Sequence, residues 1–183
     1  IDGEFVHGGG RKEQRIINPA TDAEIGKLPH ASRADLDQAL AAAQRAFQTW
    51  RHSSVIERSK ILRKVAELTR ERAQDIGRHM TMDMGKTLAE AVGEVTATSE
   101  HAEWHAEECR RIYGRVIPAR TPGVRNLVLR EPVGVVAAFS PWNFPVTQAV
   151  RKIAAALAAG CSIIIKCPEE TPSSPIGLLK CFI

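Results

Sequence analysis

Three polar residues stand where two apolar runs end. Asn143 lies in Phe139-Ser140-Pro141-Trp142-Asn143-Phe144-Pro145, and Lys166 and Glu169 lie in Lys166-Cys167-Pro168-Glu169. Open parallel sheets bind ligands in the crevice outside the carboxyl ends of their strands. An amide, an ammonium and a carboxylate at two such ends therefore converge on one candidate binding site. A strand–helix–strand unit would place them there. Val133 to Phe139 is an apolar run suited to a strand buried on both faces. Pro145 can open the next helix, because its missing N–H would be unpaired there anyway. Val146, Ala149, Val150, Ile153, Ala156 and Leu157 recur at helical spacing, and Gly160 stops the helix. Ser162 to Ile165 reads as the second buried strand.

Other constellations carry less chemistry. His101 and His105 are four apart with Glu108 nearby, but the order His-Ala-Glu-Trp-His is not the HExxH of zinc proteases. Solvated histidines beside Glu100, Glu103 and Glu107 explain them, and no metal site is expected. Of the four cysteines, Cys109 falls on a helical stripe with Leu88, Val92, Val95, Ala102 and Ala106, where a buried thiol is the default. Cys161 borders a buried strand and Cys181 lies near Leu178. Only Cys167 neighbours the candidate site, where Lys166 could lower its pKa. Their irregular spacing, with no CxxC, suits free thiols in a reducing compartment.

The remaining elements can be placed in order. Ile1 to Val6 and Arg15 to Ile17 read as short strands around a turn at His7-Gly8-Gly9-Gly10. Ser32 caps a helix with Leu36, Ala39, Leu40, Ala43 and Phe47 on one face. Ser54 and Glu57 form a capping box for a helix whose apolar face is Ile61, Leu62, Val65 and Leu68. Thr87 and Glu90 repeat the signature before a long helix to about Tyr113. Arg115 to Ala119, a turn at Thr121-Pro122-Gly123 and Arg125 to Arg130 form a hairpin. Ser174-Pro175 begins a last helix.

With 183 residues, 44% of them hydrophobic and 25% charged, the chain can bury a sizeable core. The net charge of +4 is scattered, and no basic run is interleaved with aromatics, so nucleic-acid binding has no support. No apolar stretch approaches the roughly 20 residues of a membrane span. The first residues do not read as a signal peptide, and a cytoplasmic location is expected.

The run FSPWNFP followed by RKIAAALAAGCSIIIKCPEETP resembles the aldehyde dehydrogenase superfamily, NAD(P)-dependent enzymes that oxidise aldehydes to carboxylic acids. Ile17-Asn18-Pro19-Ala20-Thr21, Ala46-Phe47-Gln48-Thr49-Trp50 and Asp83-Met84-Gly85-Lys86 extend the resemblance over the whole chain. Arg110-Arg111-Ile112-Tyr113-Gly114 and Arg151-Lys152 make it most similar to the NAD-dependent succinate-semialdehyde dehydrogenases.

The resemblance implies an α/β fold: part of a Rossmann-like NAD-binding domain with a protruding oligomerisation hairpin. Residues 1–114 would supply strands and helices of that domain, 115–131 the hairpin, and 132–183 its first βαβ unit, with the catalytic domain absent. Asn143 would donate its amide to the oxyanion of a thiohemiacetal. Lys166 and Glu169 would hold the adenosine ribose, while Ser140, Pro141 and Trp142 line the cofactor cleft. Cys167 departs from the usual Lys-Pro and is expected as a packing change. Glu169 argues for NAD over NADP, since a carboxylate repels a 2′-phosphate; members preferring NADP tend to have a small residue there. The missing G-x-G-x-x-G does not count against this family, whose cofactor contacts differ. Arg151 would bind a substrate carboxylate, although a surface arginine needs no function.

The family's nucleophilic cysteine and general-base glutamate fall outside the matched region. The chain therefore reads as the N-terminal part of a longer dehydrogenase, a homodimer or homotetramer when complete, and inactive alone. The other reading is a non-catalytic fragment that binds nucleotide weakly or serves assembly.

Overall fold

A computed structural model describes residues 1–6 and 8–183. The first two strands, β1 (Glu13–Ile17) and β2 (Glu24–Pro29), pair antiparallel. Four helices follow: α1 (Arg33–Trp50), α2 (Val55–Glu71), α3 (Ala73–Met84) and α4 (Leu88–Glu108), the last ending in a 3-10 turn at Cys109–Arg111. The hairpin is β3 (Arg115–Pro118) with β4 (Arg125–Val128), again antiparallel. Then come β5 (Val135–Phe139), α5 (Pro145–Ala158), β6 (Ser162–Lys166) and α6 (Ser173–Leu179), with β5 and β6 parallel. This is the expected α/β arrangement.

The core lies where α2, α3 and α5 pack around α4, with α6 against α3 and α5. Helix α4 turns Ala91, Val95, Thr98, Ala102 and Ala106 inward at helical spacing, and all five are fully buried. Small side chains allow close approach by Leu62 and Val65 of α2 and by Val146 and Val150 of α5. Gly77 serves the same end on α3, because a Cβ there would lie 2.7 Å from a Val92 methyl and 3.0 Å from its backbone nitrogen. Helix starts use the expected caps. Ser32 and Asp35 form a full capping box, and Ser54 Oγ accepts from Glu57 N. Thr87 Oγ1 accepts from Glu90 N and donates to the Glu90 carboxylate.

Several expectations need correction. Residues 1–6 form no strand; Ile1 and Glu4 close a tight turn on each other. The partner of β1 is β2, and the turn between them is Asn18–Ala23, where Asn18 bonds Ala23 and Asp22. The triglycine is thus not the loop of that hairpin, and His7 lies outside the described residues. On α1 the buried side chains are Asp35, Ala42, Ala43 and Phe47, while Leu36 and Leu40 are exposed. Ala43 and Phe47 thus lie on the buried face as expected, and α1 packs against β5 and β6. Ile61 is likewise exposed on α2.

Helix α3 falls in a stretch to which the sequence pattern assigns no element, and α4 stops at Glu108 rather than Tyr113. Strand β5 begins at Val135, and it is only partly buried, as is β6. Among the described residues the sheet has two strands, so each has one unpaired edge, and Phe139 is largely exposed. No helix among the described residues is long and apolar enough to cross a membrane.

Candidate cofactor cleft and anion site

Strands β5 and β6 run in register, so Phe139 stands opposite Lys166 at their carboxyl ends. One residue further, Ser140 N donates to Lys166 O at 3.1 Å. From there one loop leads to α5 and the other to α6. Thr171 Oγ1 reaches Trp142 O at 3.5 Å and ties the loops together. Gly160 makes the return between α5 and β6 possible. It has φ of +83°, and a Cβ there would meet Arg58 Nη1 at 2.7 Å and Pro132 Cγ at 2.9 Å. That guanidinium also donates to Ala158 O at 2.9 Å, closing the end of α5.

Lys166 Nζ sits 2.8 Å from Glu169 Oε1. The lysine holds the Glu169 carboxyl below its usual range, and Gln14 Nε2 donates to Glu169 O at 3.3 Å. Phe139, Pro141 and Trp142 are exposed at the strand ends, with Phe139 69% and Trp142 54% open. Ser140 Oγ is buried without a partner. An exposed cation–carboxylate pair thus lies at the same sheet end as exposed apolar side chains, an arrangement that could hold a ligand with polar and planar parts.

Asn143 belongs to the same loop but shares no hydrogen bond with the Lys166–Glu169 pair. Its side chain is exposed and has no hydrogen-bond partner among the described residues, while its carbonyl accepts from Lys86 Nζ at 3.3 Å. Arg151 is exposed on α5, one turn beyond Thr147, whose Oγ1 meets Thr98 Oγ1 at 3.1 Å across the helix seam. It makes no ion pair among the described residues. Burial, then the Arg151 and His105 charges, hold the His101 imidazole below its ordinary value, with Glu100 opposing. His105 Nδ1 is occupied by His101 O at 2.8 Å.

The cysteines divide as their positions suggested, with one correction. Cys109, Cys161 and Cys181 are buried. The Cys167 thiol is not activated: burial pushes it up to about 11 and outweighs the opposing effect of Lys166. Among the described residues no three His, Cys, Asp or Glu side chains gather where they could hold a metal.

Sequence reasoning missed two residues. Glu94 Oε1 accepts from Val146 N and Thr147 N, each at 3.2 Å, and Glu94 Oε2 lies 2.5 Å from Lys86 Nζ. A signal existed. Glu94 interrupts the buried stripe of α4 with a carboxylate, and Phe144-Pro145 offers α5 no capping side chain of its own.

The chain also resembles known proteins along nearly its whole length. The aldehyde dehydrogenase family profile matches residues 5–183. Over 174 residues the chain is 47% identical to 4-(hydroxymethyl)benzenesulfonate dehydrogenase TsaD1 of Comamonas testosteroni, covering 94% of this chain and 37% of that protein. It is 41% identical over 180 residues to glutarate-semialdehyde dehydrogenase of Pseudomonas putida, covering 98% of this chain and 38% of that protein. A crystal structure of an E. coli NADP-dependent enzyme superposes with a TM-score of 0.96 at 38% identity, covering all of this chain and 38% of that one. The chain thus spans well under half the length of the relatives it matches.

Proposed function

Because this chain belongs to the aldehyde dehydrogenase family, we propose that it forms the cofactor-side portion of an NAD-dependent dehydrogenase that oxidises an aldehyde bearing an anionic tail. The observation that carries the proposal is the parallel pairing of β5 and β6. It sets the Lys166–Glu169 pair and the Ser140–Asn143 loop side by side at one sheet end. Lys166 and Glu169 would hold the ribose hydroxyls, with Ser140, Pro141 and Trp142 along the cleft. The bound dinucleotide would supply a hydride acceptor. Asn143 would present its free amide to the oxygen that gains charge as the aldehyde carbon is attacked, an interaction worth about 3 kcal/mol of barrier when it is preorganised.

Two features support the finer choices. The Glu169 carboxylate, kept ionised by Lys166, would repel a 2′-phosphate, which favours NAD. Arg151, with no carboxylate partner among the described residues, would bind the tail of an ω-carboxyl aldehyde such as succinic semialdehyde. The benzenesulfonate and glutarate-semialdehyde names of the relatives support an acidic tail. Residues 1–114 and 132–183 would then belong to the dinucleotide-binding domain, and residues 115–131 to a hairpin that joins a second subunit, giving a homodimer or homotetramer in the cytoplasm.

Steady-state assays of a full-length protein carrying this sequence test the proposal. With succinic or glutaric semialdehyde, kcat/KM should be higher for NAD than for NADP, and Glu169→Ser should narrow that ratio at least tenfold. A ratio that favours NADP, unmoved by the substitution, would overturn the cofactor assignment. Arg151→Ala should raise KM for the semialdehyde while leaving an uncharged aldehyde unaffected.

The isolated chain should show no turnover. Three of its thiols are buried and the fourth, Cys167, is held protonated well above neutral pH. NADH formation by the purified 183-residue chain would sink that expectation.

A further inference from the structure

We propose that Lys86 and Glu94 are positioning residues that fix the peptide carrying Asn143; this rests on the oxyanion role proposed for Asn143 above. Helix α5 cannot cap itself. Phe144 stands at its N-cap with no acceptor side chain, and Pro145 has no N–H. The first amides that need a partner are those of Val146 and Thr147, and Glu94 of α4 accepts both at 3.2 Å through one oxygen. A carboxylate at the positive end of a helix is favourable in itself. This one is only 3% exposed, so its second oxygen also needs a partner. Lys86 Nζ fills that place at 2.5 Å.

The same ammonium then reaches the loop directly. It donates to Asn143 O at 3.3 Å and lies 4.1 Å from the centre of the Phe144 ring. Lys86 thus touches both residues flanking the Asn143–Phe144 peptide bond, and its own side chain is only 11% exposed. Glu94 sits on α4 between the fully buried Ala91 and Val95. The loop is therefore referenced to a helix whose inward face is fully buried in the core. Asn143 itself has no side-chain partner among the described residues, which is the state required of a donor awaiting a developing charge. Pinning its backbone while freeing its amide separates placement from chemistry.

A purely structural cap would change stability but not turnover in folded protein, so the test reads turnover. In a full-length protein carrying this sequence, Lys86→Met should lower kcat roughly 10- to 100-fold, the range expected when a reacting group is misplaced by about 1 Å. KM for the dinucleotide should stay within about twofold, because Lys166 and Glu169 lie on the other loop and the Ser140–Trp142 part of this one is held to it through Ser140 N and Trp142 O rather than by Lys86. Lys86→Arg should recover part of the loss. Glu94→Gln, which keeps an acceptor for the two amides, should be milder than Glu94→Ala.

Asn143→Ala is measured alongside. If it leaves kcat unchanged, the oxyanion reading fails and the inference falls with it. If it lowers kcat while folded Lys86→Met retains parental kcat, positioning alone is overturned. Should the full-length variants not fold, the amide NMR shifts of the 183-residue chain decide. Lys86→Met should move the Asn143 and Phe144 signals and leave those of Val150 and Ile153 in place. Unmoved Asn143 and Phe144 signals would overturn the proposal.

Discussion

The α4–α5 seam and the β3–β4 hairpin are held by opposite means. Along the seam, Ala91, Val95, Thr98 and Ala102 face Val146, Val150 and Ile153, nearly all without exposed surface. Polar groups there are matched across the two helices, Glu94 to the amides of Val146 and Thr147 and Thr98 to Thr147. In the hairpin every residue of both strands is exposed, and the four-residue register is held by backbone pairing. A lone two-stranded ribbon is marginal in water, yet this one displays Val116, Ile117, Leu127 and Val128. Contacts within the chain account for the residue types of the seam. No contact within the described residues accounts for those of the hairpin.

If that contrast is right, the largest loss of stability comes from cutting into the core around the seam. Leu62 has no exposed surface and packs in the same cluster as Val95 and Val150. Leu62→Ala removes three carbons and leaves a cavity, at a cost of about 3 kcal/mol. For a chain of this size each kcal/mol lowers Tm by about 2–4 °C, so thermal unfolding followed by circular dichroism should shift down by roughly 10 °C. A shift under about 2 °C would mean that the helical core is not what holds the chain together.

A smaller effect belongs to Asp83 at the junction of α3 and α6. It is buried, its Oδ2 accepts from Ser173 N at 2.8 Å, and its Oδ1 has no partner. Burial pushes its pKa from an ordinary 3.8 up to about 6, against the Ser173 bonds and the His79 charge. The sign follows from which state releases its proton first. As pH rises from about 4 to about 6 the unfolded chain ionises while the folded one resists, so stability falls across that window and levels off above it.

Two units correspond to about 3 kcal/mol at most. Asp83→Asn keeps an oxygen for Ser173 N and cannot ionise. Its stability relative to the parent should improve by about 2 kcal/mol between pH 4 and pH 8 in urea unfolding. A difference independent of pH would show that Asp83 ionises in the fold as readily as in water.

The same contrast explains what could be seen in the sequence. The strand–helix–strand unit was legible because Pro145, the periodic apolar residues and Gly160 all agree on one helix, and because the polar residues past its strands fall at a place where sheets bind ligands. The hairpin was legible from its turn, since backbone pairing needs little else. Leu36 and Leu40 misled because amphipathic spacing shows that a helix has an apolar face, but not which part of it finds a neighbour.

Glu94 and Lys86 escaped for a different reason. They are 52 and 57 residues from the backbone groups they hold, and local pattern carries no record of such pairing. The lowering effect of Lys166 on Cys167 was legible because the two are neighbours in sequence, while the burial that outweighs it was not.

The smallest expected effect tests the other half of the contrast. Leu127 is 69% exposed and pairs with Val116 across the ribbon. Leu127→Lys places a charge where water already has access, so it should change the stability of the isolated chain by no more than about 0.5 kcal/mol, within about 2 °C in Tm. If Leu127 instead packed against this chain, the substitution would cost several times as much, and the contrast with Leu62 would collapse. The same variant in a full-length protein carrying this sequence should weaken self-association, seen as a fall in mass by light scattering on dilution. An edge strand with exposed apolar residues is a template for pairing with another chain, and a lysine on it is a common means of blocking that pairing. Unchanged assembly together with an unchanged Tm would assign Leu127 to neither surface and leave its exposure without a partner, which would remove the hairpin from the proposed subunit contact.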